Sequence, residues 1–435
     1  MALLPIVIVD VPLQARVLAI AFFCLAVWFL EIAPPFVPTF LLWALVPLLL
    51  LPLDSSYSMA TVLSWSADPV MALFFGGFCL GVATSVYGVD KRLASLIINL
   101  GGGSFYLLLG LTIGLTAFLS MWMSNIAAAA LMIACLRPLL SQFALDDLIR
   151  RTLLVGVAVG ANLGGIATPI GTGPNAIAIA SMSSKTQVSF IDWMFFAMPL
   201  TIGMLAVAFI FLAVRSRNIA GEWGDRSPSL LDGETRSDTK KKSSIPFVLL
   251  ISATILCWLS EPIHGIPAAV TSVSAAAMMF ATGMLRKEHL RKIDWSTLLL
   301  IAGGITLGRL FERSGTISML TSQLPFSELD PTLALFAICI TSALFSALMS
   351  NTATVVMLIP IATALIPEPS TAILVAVSAS FGIPFVISTP QNAMAYGEGG
   401  LRTSDLFYPG IVIMVLGCLI VSLTGRYALG FVGIQ

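Results

Sequence analysis

Ser120-Met121-Trp122-Met123-Ser124-Asn125, followed by Ile126 and four alanines, is written a second time as Ser346-Ala347-Leu348-Met349-Ser350-Asn351-Thr352-Ala353. Both copies lie inside long apolar runs. Hydroxyl and amide groups in such a setting cost free energy in a membrane unless they bind something, so the two copies read as two halves of one binding site. The composition sets the medium: 58% hydrophobic residues, 10% charged residues and a mean hydropathy of +0.98 leave too little polar surface to cover a soluble globule. The chain is therefore expected to be an all-α polytopic membrane protein. Its formal net charge of +0 offers no basic field for nucleic acid. Cys24, Cys79, Cys135, Cys257, Cys339 and Cys418 are scattered singly without a CxxC, as small buried hydrophobes would be. His264 and His289 fall at segment ends and are expected to be exposed or to cap. No charged n-region or small-residue cleavage site precedes the first apolar run, which points to insertion without cleavage.

Outward from the first copy, apolar runs long enough for roughly 30 Å of hydrocarbon fall at 16–33, 36–53 and 68–88. A short amphipathic piece follows Asp90-Lys91-Arg92. In 104–140 two short arms flank Ser124-Asn125, with charge at both outer ends, which predicts a re-entrant hairpin with a polar tip at mid-membrane. Residues 151–185 contain Thr168-Pro169-Ile170-Gly171-Thr172-Gly173-Pro174-Asn175, whose prolines and glycines predict a broken helix. A span at 193–213 closes this half, 16–213. The polar stretch 214–244, with Lys240-Lys241-Lys242, reads as a cytoplasmic linker.

The second half, 245–430, repeats the first. Trp28-x-x-Glu31 returns as Trp258-x-x-Glu261, and Gly76-Gly77-x-x-Leu80-Gly81 as Gly303-Gly304-x-x-Leu307-Gly308. The hairpin returns at 331–366 and the broken helix at 371–399, with Ser388-Thr389-Pro390-Gln391-Asn392 at its break. Preserved order across four stretches marks an internal duplication. Five crossings and one hairpin per half make the repeats inverted. With both termini outside, about 17 of the 22 Lys and Arg face the cytoplasm, as the positive-inside rule requires.

Half-helices beginning near Asn125, Pro174, Asn351 and Gln391 would aim free amides at a common point, which favours an anion. Elements ending there offer carbonyls and hydroxyls, hard oxygen ligands for Na⁺. No Lys or Arg lies in the tips or breaks, so cations bound with the anion would neutralise it, and this implies coupling. At i, i+4 spacing, Ser120 with Ser124 and Ser346 with Ser350 are expected on one helix face each.

These motifs resemble the divalent anion:sodium symporter family of di- and tricarboxylate transporters over about residues 20–430. The resemblance implies an elevator-type homodimer moving C4-dicarboxylates, tricarboxylates or sulfate, mostly with Na⁺; for a compact chain with this charge pattern the expected location is a bacterial-type cell (inner) membrane. The resemblance also implies one sodium site at Ser120, Ser124, Asn125 and Gly171, and a second at Ser346, Met349 (by its carbonyl), Asn351 and Ser388. Substrate carboxylates would meet Asn125, Thr172, Ser350, Asn351, Thr352, Thr389 and Pro390. Ile126 and Gly173 depart from the family pattern, Ile126 removing a hydroxyl. The expectation is thus a sodium-coupled importer of small dianions, dicarboxylates first. An anion exchanger of the same fold and a Na⁺-coupled citrate or sulfate transporter are the alternatives. An enzyme would need a nucleophile with a base or a metal cluster, and neither histidine is placed to serve Ser124 or Ser350.

Overall fold

An apolar chain without water satisfies its backbone polar groups within helices. In the computed structural model, which describes residues 11–30, 32–88, 103–182, 188–220, 245–316, 319 and 330–434, helices dominate and no strand occurs among the described residues. The first half holds α1 (Leu13–Phe29), α2 (Val37–Leu50), α3 (Met59–Trp65), α4 (Pro69–Val86), α5 (Phe105–Ser120), α6 (Asn125–Leu140), α7 (Leu148–Gly164), α8 (Gly173–Met182) and α9 (Phe190–Arg215). The second holds α10 (Ile245–Leu259), α11 (Ala268–Ala281), α12 (Trp295–Arg313), α13 (Pro331–Leu348), α14 (Asn351–Leu365), α15 (Pro369–Ala379), α16 (Pro390–Gly397) and α17 (Thr403–Phe431).

Local chemistry sets the starts. Asp68 accepts from Val70 N at 3.0 Å with Pro69 opening α4, and Asp147 accepts from Ile149 N at 2.8 Å to cap α7. Ser189 and Asp192 form a reciprocal capping box at α9. Glu261 accepts from Phe190 N and Ala268 N, tying the starts of α9 and α11 together, as expected of a capping carboxylate. His264 and His289 likewise accept from nearby backbone amides, those of Ile266 and Arg286.

Two expectations need correction. The runs at 16–33 and 36–53 end as helices at Phe29 and Leu50, because Pro34-Pro35 and Pro52 interrupt them. The short helix α3, capped by Ser58, was not foreseen. Helix also continues at Arg217–Ala220 into the stretch read as linker, while 221–244, Asp90 to Arg92 and Glu31 lie outside the described residues.

The packing follows the duplicated order. α5 lies on α7 as α13 lies on α15; α8 touches α14 and α15 as α16 touches α6 and α7; α4 packs on α11 as α12 packs on α2. α7 and α15 are buried throughout and form the centre. Glycine permits this: a Cβ on Gly164 would collide with the Ala117 carbonyl, and one on Gly382 would stand 2.5 Å from the Ala343 oxygen. Ala117 and Ala343 are equivalent residues of the two copies. Helices α5 and α6 have 16 residues each, about 24 Å, short of the roughly 30 Å of a bilayer core. By contrast Pro69–Val86, Leu148–Ala167, Phe190–Arg215 and Thr403–Phe431 are long and apolar enough to cross.

Charged groups gather at one end. Arg151 pairs with Asp405, Nε to Oδ2 at 2.7 Å, and Arg215 pairs with the same carboxylate, which is 3% exposed. Arg137 pairs with Glu398 at 2.6 Å, and Arg150 donates to the carbonyls of Leu140 and Glu398. These are residues that the charge count places on a single side.

Candidate substrate and cation site

The two signature stretches fold alike. In each, the first arm ends at or just past the leading serine and the next helix begins at the asparagine: α5 ends at Ser120 and α6 starts at Asn125, while α13 runs two residues beyond Ser346 to Leu348 and α14 starts at Asn351. Ser124 and Ser350 are therefore N-cap residues, and the expected pairing of Ser120 with Ser124, and of Ser346 with Ser350, on one helix face does not occur. The chain turns between them. Instead the leading serine meets the asparagine: Ser120 Oγ donates to Asn125 Oδ1 at 2.7 Å, and Ser346 Oγ donates to Asn351 Oδ1 at 2.7 Å.

Each break joins its tip. Ser120 Oγ also lies 2.7 Å from the Ala161 carbonyl, and Thr168 Oγ1 donates to the Met121 carbonyl at 2.6 Å. On the other side Ser388 Oγ donates to the Ala347 carbonyl at 2.8 Å and accepts from Phe385 N. A Cβ on Gly165 would run into Asn125 Oδ1 and stand 3.0 Å from the Gly171 carbonyl, so tip and break share one small space. The single proton of the Ser120 hydroxyl faces two acceptors there. That surplus of oxygen is what a bare cation would neutralise.

The helix starts fall close to where the sequence reading put them. α6 and α14 begin at Asn125 and Asn351, α8 at Gly173 and α16 at Pro390, within a residue of the sequence reading. Ser124, Asn125, Thr172, Ser350, Asn351 and Thr352 are half-buried, Ser120, Gly171, Ser346, Met349, Ser388 and Thr389 are buried, and Pro390 is exposed. Thr352 crosses to the other half, against Gly173, where a Cβ would come within 2.5 Å of its Oγ1. Thr389 caps α16 by accepting from Asn392 N. Met349 is extended, at φ −142° and ψ 179°, where the chain leaves α13. Arg137, Arg150 and Arg151 belong to the outer ends of α6 and α7, away from the tip.

Sequence reading missed the amides that hold the breaks. Asn175 Nδ2 donates to the carbonyls of Gly165 and Thr168 at 3.0 and 2.8 Å; Asn392 Nδ2 donates to those of Ile383 and Phe385 at 3.0 and 2.9 Å. These carbonyls are the ones a broken helix leaves without intrahelical donors. Asn162 on α7 then links the halves, accepting from Gln391 Nε2 at 2.6 Å and donating to Asn392 Oδ1 at 3.0 Å. A lone asparagine inside the apolar run of α7 was the available signal. The halves differ here, because Ala379 holds the position equivalent to Asn162 and Asn175 Oδ1 is left buried without a partner.

Two hairpin-like arms and two interrupted helices that present oxygen and amide groups inside an apolar helical body define a membrane transporter rather than an enzyme. A family model described as citrate transporter (CitMHS) matches residues 25–373 and 325–432, and the chain belongs to this family of multi-pass cell-membrane proteins. It is 27% identical over 410 residues to an uncharacterized transporter of Haemophilus influenzae, covering 88% of this chain and 86% of that one. It is also 25% identical over 464 residues to the sodium-dependent dicarboxylate transporter SdcS of Staphylococcus aureus, covering 97% and 88%. SdcS of Staphylococcus saprophyticus is 27% identical over 450 residues, covering 92% and 83%. Among solved structures, the YdaH transporter of Alcanivorax borkumensis shares the fold, with a TM-score of 0.59 at 14% identity over 95% of this chain and 98% of that one.

Proposed function

We propose that the protein imports small dianions, C4-dicarboxylates such as succinate, malate and fumarate first among them, by Na⁺ symport. The carrying observation is the duplicated 2.7 Å contact of a buried serine hydroxyl with the asparagine that opens a helix. Each contact sets oxygen ligands beside free amides, so a cation and an anion are favoured at neighbouring points. In this reading Ser120, Ser124, Asn125 and Gly171 hold one Na⁺, and Ser346, Met349, Asn351 and Ser388 hold another. Asn125, Thr172, Ser350, Asn351, Thr352, Thr389 and Pro390 meet the substrate. The similarity to proteins named sodium-dependent dicarboxylate transporter supports the choice of ion and anion.

The arms at 104–140 and 331–366 act as re-entrant hairpins, and 16–213 and 245–430 as inverted repeats joined by a cytoplasmic linker. Paired packing in the two halves and the gathering of Arg137, Arg150, Arg151 and Arg215 at one end support this arrangement. Transport proceeds by an elevator motion of the hairpins and broken helices in a homodimer. The test is radiolabelled succinate uptake into proteoliposomes under an inward Na⁺ gradient or a matched K⁺ gradient, with Asn125→Ala and Asn351→Ala. Uptake that needs Na⁺ and fails in both variants is expected. Uptake without Na⁺ that requires succinate inside would replace symport by exchange, and an absence of succinate uptake would move the substrate to citrate or sulfate.

A further inference from the structure

The two ends of the site are not chemically alike, and three differences between equivalent residues point the same way. Thr352 is equivalent to Ile126: the first is half-buried against Gly173, and the second is 43% exposed at the opening turn of α6. Gly173 is equivalent to Pro390. Gly173 begins α8 with an amide N–H, whereas Pro390 begins α16 with none. Ser350 is equivalent to Ser124. Ser124 accepts from Ala127 N at 3.3 Å as a helix cap, while Ser350 makes no capping bond and keeps its oxygen for another donor or acceptor.

α8 packs on α14, and α16 packs on α6, so each set of three lies at one pole. The α8–α14 pole is rich in donors, through Thr352, Ser350 and the Gly173 amide. The α6–α16 pole exposes Ile126 and Pro390. A carboxylate loses binding free energy for each partner that it cannot find in a desolvated site, whereas a methyl group gains from apolar contact.

Building on the dicarboxylate reading above, we infer that this site is tuned to an asymmetric dicarboxylate. One carboxylate is held at the α8–α14 pole, and an alkyl substituent adjoins the second at the α6–α16 pole, as in 2-methylsuccinate. Ile126 and Pro390 are the residues that set this preference. Discrimination by a single apolar group is modest, and about 3- to 10-fold is the expected range.

The experiment is competition against radiolabelled succinate uptake in proteoliposomes by unlabelled succinate and 2-methylsuccinate, for the wild-type protein, Ile126→Thr and Pro390→Ala. In the wild type, 2-methylsuccinate should compete at about 3- to 10-fold lower concentration than succinate. Ile126→Thr should abolish or reverse that order, and Pro390→Ala, which restores an amide N–H, should narrow it. Equal competition in the wild type, or a preference unchanged by Ile126→Thr, overturns the inference while leaving dicarboxylate transport standing. If succinate is not transported and neither compound competes with the anion that is, the dicarboxylate reading fails and the inference fails with it. Since Ile126 is exposed at a helix start, its threonine variant tests preference without opening a core cavity.

Discussion

Asn392 closes the second break by donating to two carbonyls, and Asn175 does the same for the first. Replacing Asn392 with alanine orphans two carbonyl acceptors, Ile383 and Phe385, and removes one of the two acceptors of Asn162 Nδ2, the other being the Ala158 carbonyl. Unpaired buried groups cost about 1–3 kcal/mol each, so Asn392→Ala should lower the thermal unfolding midpoint of the detergent-solubilised protein and abolish succinate uptake. Asn162→Ala should be milder in unfolding. Its clearest effect should be a raised Na⁺ concentration for half-maximal uptake, because it loosens the link between the breaks without opening either. A wild-type Na⁺ dependence in Asn162→Ala would show that the link is structural only. The serine and asparagine signatures were legible because the chain states them twice, whereas Asn162 lacks a copy and is hard to tell from a satisfied helix residue.

Two carboxylates near helix ends, Asp405 and Glu398, are paired in opposite settings. Asp405 is buried between Arg151 and Arg215, and removing its charge leaves two arginines facing each other with little water. Asp405→Asn should cost about 3–5 kcal/mol, read as a large drop in unfolding midpoint. Glu398→Gln should cost under about 1 kcal/mol, because the Arg137 side chain is 64% exposed to solvent. The hydrogen bond from Arg137 holds the Glu398 carboxyl below its ordinary range. A depressed carboxylate adds stability above its unfolded pKa and loses it as pH falls through the folded value, so this pair contributes at neutral pH and fades below about pH 4. Thermal unfolding of wild type and Glu398→Gln from pH 7 to pH 3 should show their difference shrinking at the acid end. Element boundaries followed from prolines, caps and apolar length, and reading failed where a short apolar run folded as a separate helix, as at Met59–Trp65.

In the assembled molecule, equivalent surfaces are unequally used. A Cβ on Gly81 would lie 3.2 Å from Met123 Cβ at the first tip, while Gly308, its equivalent, has nothing within 4 Å and lines a cavity between α8, α12, α14 and α15. Ile170 is buried against Gly77, and its equivalent Ile387 is 76% exposed. If the repeats are inverted and the moving part slides as proposed, the opposite state exchanges these partners. In a background without native cysteines, Gly81→Cys with Met123→Cys should then cross-link in the present arrangement and stop uptake. Gly308→Cys with Met349→Cys should cross-link only during turnover or in the opposite state. Cross-linking of both pairs in one static preparation, or of the second pair under no condition, would reject the exchange.

What the chain carries in one dimension is its medium, its duplicated order, the turns at Ser120–Asn125 and Ser346–Asn351, and the two breaks, because each is written as local apolar length, proline, glycine or a repeated polar cluster. Three-dimensional packing settles which oxygen meets which: Ser120 with Asn125 rather than Ser124, Thr352 against Gly173, and Asn162 across to Gln391 and Asn392. Those contacts join residues from separate helices, and their partners are chosen by how closely glycine lets the helices approach, a quantity that no local pattern encodes.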